Sequence, residues 1–171
     1  MRVLLAGGGC RGLTLARDLT ADGHAVRVVT RTEARRAEIE ATGAECWIGD
    51  PDVIGTLRYA LDNVTVVVWA LGTASSEDPD KVAALHGSRL TMLLERIIDT
   101  TARGFVYEAA GTAGPEAFAA GTAEVRRMCD LNEIPYWVLE VDPAESETSW
   151  ALAARAAIDE ILARDRGPVA G

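Results

Sequence analysis

Six short apolar runs, each followed by a segment with helical spacing, organise the chain from end to end. The runs are Val3–Ala6, Ala25–Val29, Ala44–Ile48, Val64–Ala70, Phe105–Ala109 and Tyr136–Val141. The helical segments are Arg11–Ala21, Glu33–Ala41, Val53–Leu61, Val82–Ala102, Pro115–Leu131 and Ser146–Arg164. Val64–Ala70 is apolar at nearly every position, which suits a strand covered on both faces. Parallel strands need long crossovers, and right-handed crossovers leave few arrangements. The alternation therefore predicts an α/β chain with a doubly wound parallel sheet of about six strands, order 3-2-1-4-5-6, and helices on both faces. Residues 1–165 are expected to form one unit, with 166–171 as a short C-terminal tail. Six strands and their helices consume most of the 171 residues. Little is left for a separate substrate domain.

Composition narrows the function classes. Lys and Arg total 17 and Asp and Glu total 26, so the net charge is −9. That balance argues against nucleic acid, whose binding needs a positive surface to displace counterions. It argues equally against a polybasic membrane contact. The N-terminal apolar run is too short for a signal peptide or a membrane span. Cys10, Cys46 and Cys129 form no CxxC pair and lie near neither His24 nor His86 in sequence. No metal site is expected, and a cytoplasmic protein with reduced thiols is the default. Lys81 is the single lysine, so any mechanism that needs a lysine must use it.

The strongest chemical signal is Gly7, Gly9 and Gly12, a G-x-G-x-x-G placed after the first strand and opening the first helix. Gly7 permits the turn, Gly9 lets backbone approach a pyrophosphate, and Gly12 lets helix and strand pack closely. The helix N-terminus then offers free N–H groups to phosphate. The expected fold is accordingly Rossmann-type. Cofactor contacts are expected from Gly7, Gly9, Cys10, Arg11, Gly12 and Leu13 in this region. Cys10 reads as a small residue filling the loop, with a redox-sensitive thiol as the alternative. The second strand ends in Thr30 and Arg31, where an NAD-binding chain would carry an acid. Arg31 suits a 2′-phosphate, so NADP(H) is favoured over NAD(H), with Arg35, Arg36 or Arg11 as helpers. Asp50, after the third strand, can accept from an adenine amino group or cap the following helix. Ala70, Leu71 and Gly72 leave room beside a nucleotide at the switch point between strands one and four.

These pieces resemble the short-chain dehydrogenase/reductase superfamily, in particular its atypical, NmrA-like branch. The matching segments are residues 3–12, Thr30-Arg31, Gly49-Asp50, residues 69–72, residues 105–107 and residues 134–139. The resemblance implies an NAD(P)-binding Rossmann protein. The reductases of that superfamily use a Tyr-x-x-x-Lys pair with a Ser, the Lys lowering the Tyr pKa. Here Glu77 stands four residues before Lys81, and Glu108-Ala109-Ala110-Gly111 has no hydroxyl where the Ser is expected. Thr122-Ala123-Glu124 keeps a Glu but not the Lys that NmrA-like chains often carry before it. Asp142-Pro143 stands where Arg-Pro is common.

Two readings follow. One is an atypical oxidoreductase using NADP(H), its small-molecule substrate unspecified. The other is a non-catalytic NADP(H) sensor that acts through a protein partner. A sugar-nucleotide epimerase relative is disfavoured by length and by the missing Tyr and Lys. Tyr107 and Glu108 are adjacent, so only one of them can face the cleft. His86 on the long helix reads as a surface or interface residue, and that helix as core with a homodimer interface. The four tryptophans read as packing residues.

Overall fold

A central strand with parallel neighbours on both sides organises the molecule. The computed structural model describes residues 1–165, so the expected tail at 166–171 lies outside the described residues. The strands are β1 (Arg2–Gly7), β2 (Ala25–Thr30), β3 (Glu45–Ile48), β4 (Val66–Ala70), β5 (Phe105–Glu108) and β6 (Tyr136–Leu139). They form one sheet in the order β3-β2-β1-β4-β5-β6, with every pairing parallel. Leu5 stands opposite Val28 on one side and Val68 on the other. The direction of winding reverses between β1 and β4. In open sheets of this kind, ligands bind at that reversal, beyond the carboxyl ends of the strands.

The helices are α1 (Gly9–Ala21), α2 (Arg36–Glu40), α3 (Pro79–Leu85), α4 (Ser88–Ile97), α5 (Pro115–Leu131) and α6 (Glu147–Asp165). Strand alternation sends Val3, Leu5, Val26, Val28, Val66 and Val68 to one face. There they meet Leu15 and Leu19 of α1 and Trp150, Ile158 and Ile161 of α6. Leu4, Ala6, Val67, Trp69, Phe105 and Tyr107 face the other way, against α4 and α5. The residues of β4 and β5 and the middle of β1 are thus buried on one side or the other, which is why these runs are apolar rather than alternating.

Two segments depart from the sequence expectation. The expected helix over Val82–Ala102 is two helices, broken at His86 and Gly87. The Trp69 indole N–H donates to the Leu85 carbonyl at 2.8 Å, which draws that carbonyl out of a helical ladder. His86 turns inward, and its Nδ1 lies 2.7 Å from the Tyr107 hydroxyl. His86 is only 1% exposed, so it is not the surface or interface residue expected from the sequence. The expected helix over Val53–Leu61 is instead a pair of 3₁₀ turns, Ile54–Leu57 and Tyr59–Leu61. There the Trp47 indole takes the Thr56 carbonyl at 3.1 Å, and Thr56 Oγ1 accepts from the Asp50 N–H at 2.8 Å. Side chains that capture backbone groups in this way compete with regular helix.

Gly121, which interrupts the helical composition of α5, has a packing reason. A Cβ there would collide with the Tyr107 hydroxyl. Gly121→Ala is expected to cost about 1–3 kcal/mol, the usual range for overpacking a filled core. Chemical denaturation measures this cost, and Tyr107→Phe in the same chain should recover part of it by removing the colliding oxygen.

Candidate functional site

The glycine loop meets each requirement of its motif. Gly7 has a φ of +88°, and its Cβ position is filled by the Ala70 carbonyl, so no other residue fits the turn. A Cβ on Gly12 would meet the Gly7 carbonyl at 2.9 Å and Leu5 at 3.2 Å, which is the close packing of α1 on β1. A Cβ on Gly9 would meet nothing within 4 Å. The space over Gly9 is therefore open where a pyrophosphate would lie against backbone, at the start of α1.

A cavity of about 360 Å³ opens from this loop along the carboxyl edge of the sheet. Gly7, Gly9, Thr30, Arg31, Ala70 and Leu71 line it, all of them expected from the sequence. Thr32, Arg35, Pro51, Thr73 and Ser75 line it as well. A second cavity of about 150 Å³ holds Asp50 and shares Arg31, Pro51, Leu71, Ala74 and Ser75 with the first. The two form one cleft over β1, β2 and β4. The Asp50 Oδ1 accepts from the Asp52 N–H at 2.9 Å, within the turn after β3; it is not the helix cap expected, because 3₁₀ turns follow with Val53 at their start.

The remaining expected residues do not line either cavity. Cys10 is exposed in the first turn of α1. Leu13 packs in the core beneath the sheet. Gly72 is turned away from the cleft, its N–H donating to Glu108 Oε2 at 2.7 Å. Arg11 is also turned away. Its guanidinium bonds Glu108 from Nη2 at 2.7 Å to Oε1 and 3.0 Å to Oε2, and from Nε at 3.2 Å to Oε1. Its Nη1 donates to Thr73 Oγ1 at 3.1 Å. Arg11 is thus held on the β5 side, its guanidinium engaged by Glu108 and Thr73. Arg36 is likewise engaged, by Glu33 and Glu40.

Glu108 is the residue whose importance the sequence reading missed. It is 1% exposed and accepts from Arg11, from Gly72 and from the Trp150 indole N–H at 2.8 Å. The Arg11 guanidinium also lies over the Trp150 ring, 5.0 Å from its centroid. A charged residue ending an otherwise apolar strand was the available signal. Its neighbour Tyr107 faces the opposite layer, as strand alternation requires. There burial raises the hydroxyl pKa well above the usual tyrosine range. Burial lowers the His86 pKa, partly opposed by the Leu71 backbone, and its Nε2 makes no hydrogen bond of ordinary geometry. Glu124 is structural: it accepts from Thr91 Oγ1 at 2.8 Å and pairs with Arg127, joining α4 to α5.

A family model described as NAD(P)H-binding matches residues 7–129. No curated protein matches the chain in sequence. Among solved structures, it is similar to a UDP-glucose 4-epimerase from Thermotoga maritima, solved with UDP-glucose. The TM-score is 0.68 at 17% identity, over 81% of this chain and 54% of that one. A short-chain dehydrogenase/reductase superfamily protein from Agrobacterium tumefaciens, with bound NAD, gives 0.67 at 18% identity, over 81% and 48%. A triphenylmethane reductase from Citrobacter sp., complexed with NADP(H), gives 0.61 at 15% identity, over 81% and 48%. The chain spans about half the length of these structures, and the likeness to them is one of fold. Among the described residues, no helix is long and apolar enough to cross a membrane, and no group of acids, His and Cys is placed to hold a metal ion.

Two outcomes follow from the buried groups. Glu108→Gln keeps an acceptor but leaves the Arg11 charge without a counterion, and is expected to cost about 3 kcal/mol in urea denaturation. Adding Arg11→Met should make the double variant more stable than the sum of the single losses. For His86, the folded pKa lies below the usual 6.5, so the unfolded chain takes up its proton first as pH falls. Stability is unaffected by this group above that value. It declines below it by up to about 1.4 kcal/mol per pH unit until the folded pKa is reached. His86→Gln should lack that part of the slope, measured by denaturation between neutral and mildly acidic pH.

Proposed function

The chain belongs to the NAD(P)H-binding family, and from that premise we propose that it binds NADP(H) in preference to NAD(H). The observation that carries the preference is Arg31. It directly follows β2, lines both cavities of the cleft, and makes no hydrogen bond or ion pair among the described residues. A free guanidinium at that position matches a ribose 2′-phosphate, which takes up to three charge-assisted bonds. The loop at Gly7 to Gly9 would hold the pyrophosphate, Asp50 the adenine edge, and Ala70 and Leu71 the space beside the nucleoside.

Bound NADPH supplies a hydride, and the protein's part is to place it and to exclude competing reactions. This chain's residues support that role without the Tyr–Lys acid–base pair of the reductases it resembles. An atypical oxidoreductase acting on an acceptor that needs no side-chain proton donor is the first reading. A non-catalytic NADP(H) sensor is the second, and one observation favours it. The three titratable groups around the end of β5 are all engaged in buried contacts: Glu108 by Arg11, and Tyr107 and His86 by each other.

Calorimetric titration with NADPH, NADP, NADH and NAD tests the binding reading. Arg31→Asp is expected to weaken NADP(H) by about 100-fold and NAD(H) by less than about threefold. Equal losses would remove Arg31 from the 2′-phosphate. NADPH oxidation with a panel of quinones and aldehydes then separates the two readings. Turnover supports the oxidoreductase, and its absence with bound NADPH supports the sensor.

A further inference from the structure

Lys81 is the chain's single lysine, and the fold brings it to the dinucleotide cleft from the side opposite Arg31. It lies on α3, whose start is set by Pro79 in the first turn and by the Asp78 carboxylate accepting from the Asp80 N–H at 3.0 Å. The end of α3 is held to the sheet by Trp69 on the Leu85 carbonyl and by His86 on Tyr107. Lys81 and Leu85 are one helical turn apart and share a face. That face, with Val82, lines the 150 Å³ cavity together with Arg31 and Asp50.

The charges around this cavity are not balanced. Other arginines near the cleft are occupied: Arg35 pairs with Glu38 at 3.0 Å, Arg89 with Asp52 at 3.1 Å, and Arg11 with Glu108. The Arg89 pair neutralises one of the two acids lining the cavity. Asp50 is left against two cations, Arg31 and Lys81, neither of which makes an ion pair or hydrogen bond among the described residues. In a protein of net charge −9, two unpaired cations on one small cavity mark a place for an anion. Leu71, Val82 and Leu85 add apolar surfaces that suit the faces of a purine, and Ser75 and Ser76 complete the polar lining.

We propose that Lys81 is a second cationic contact for the ribose 2′-phosphate, meeting it from α3 while Arg31 meets it from β2. This rests on the NADP(H) reading above and adds to it a residue outside the glycine loop and the β2 end. The phosphate then ties α3 to the opposite wall of the cleft. NAD(H), which lacks that phosphate, gains nothing from Lys81.

A sole lysine makes the test direct. An acetylating ester modifies two amines in the purified chain, Lys81 and the α-amine of Met1, and mass spectrometry follows each separately. Labelling is compared for the free protein, for protein saturated with NADP(H), and for protein saturated with NAD(H), with saturation set by calorimetry. NADP(H) is expected to slow acetylation of Lys81 several-fold, NAD(H) to leave it nearly unchanged, and the α-amine to be unaffected by either. Lys81→Gln is expected to weaken NADP(H) by about tenfold and NAD(H) by less than about twofold, with Lys81→Arg retaining most of the affinity. Equal protection by both cofactors would place Lys81 beside the adenosine or under a general closure, and would overturn the proposal. So would bound NADP(H) that gives no protection. If calorimetry detects no dinucleotide at all, the underlying reading falls, and this one with it, before any labelling is done.

Discussion

The buried pair between Arg11 and Glu108 is the contact on which the geometry of the cleft depends. Arg11 lies in the first turn of α1, Glu108 ends β5, Gly72 and Thr73 follow β4, and Trp150 lies on α6. One carboxylate accepts from three of these four elements, and the guanidinium closes the set through Thr73. A buried ion pair is weak evidence for added stability, because desolvation offsets much of the attraction. Its effect here is positional. The loop after β4 cannot move away from β5 without leaving a charge or an N–H unpaired in a buried site, and that loop forms one wall of the nucleotide cleft.

The same arrangement limits the chemistry available at the strand ends. Glu108 has five donor contacts and stands behind the cleft rather than in it. Tyr107 faces the other layer, against His86 and the bare backbone of Gly121. The residues of β5 that look chemically capable therefore serve packing and positioning. The groups left free at the cleft are cations, Arg31 and Lys81, and these suit binding an anion rather than moving a proton.

Much of this was legible before the fold was known. The strand order, the position of the glycine loop and the limits of α5 followed from apolar runs, crossover handedness and the context of three glycines. Arg31 was legible because the end of β2 has a specific role in this class of sheet. The departures share one cause. Trp69 and Trp47 reach from their strands to backbone carbonyls of later segments, Leu85 and Thr56, and so break helices whose local composition is sound. No periodicity within a segment encodes a capture made from another strand. Lys81 was visible as the single lysine but not as a cleft residue, because α3 is placed by contacts to β4 and β5.

By itself, then, the sequence determined the parallel doubly wound sheet and the cradle at Gly7 to Gly12, since both follow from local patterning and from backbone space that only glycine permits. The tertiary structure decided which charges cancel and which remain free. Arg11 is paired with Glu108, 97 positions along the chain, while Arg31 and Lys81 are brought to one cavity without forming an ion pair there. Charge pairing acts over a few ångströms in space and has no fixed distance along the chain, so only the folded arrangement could settle it.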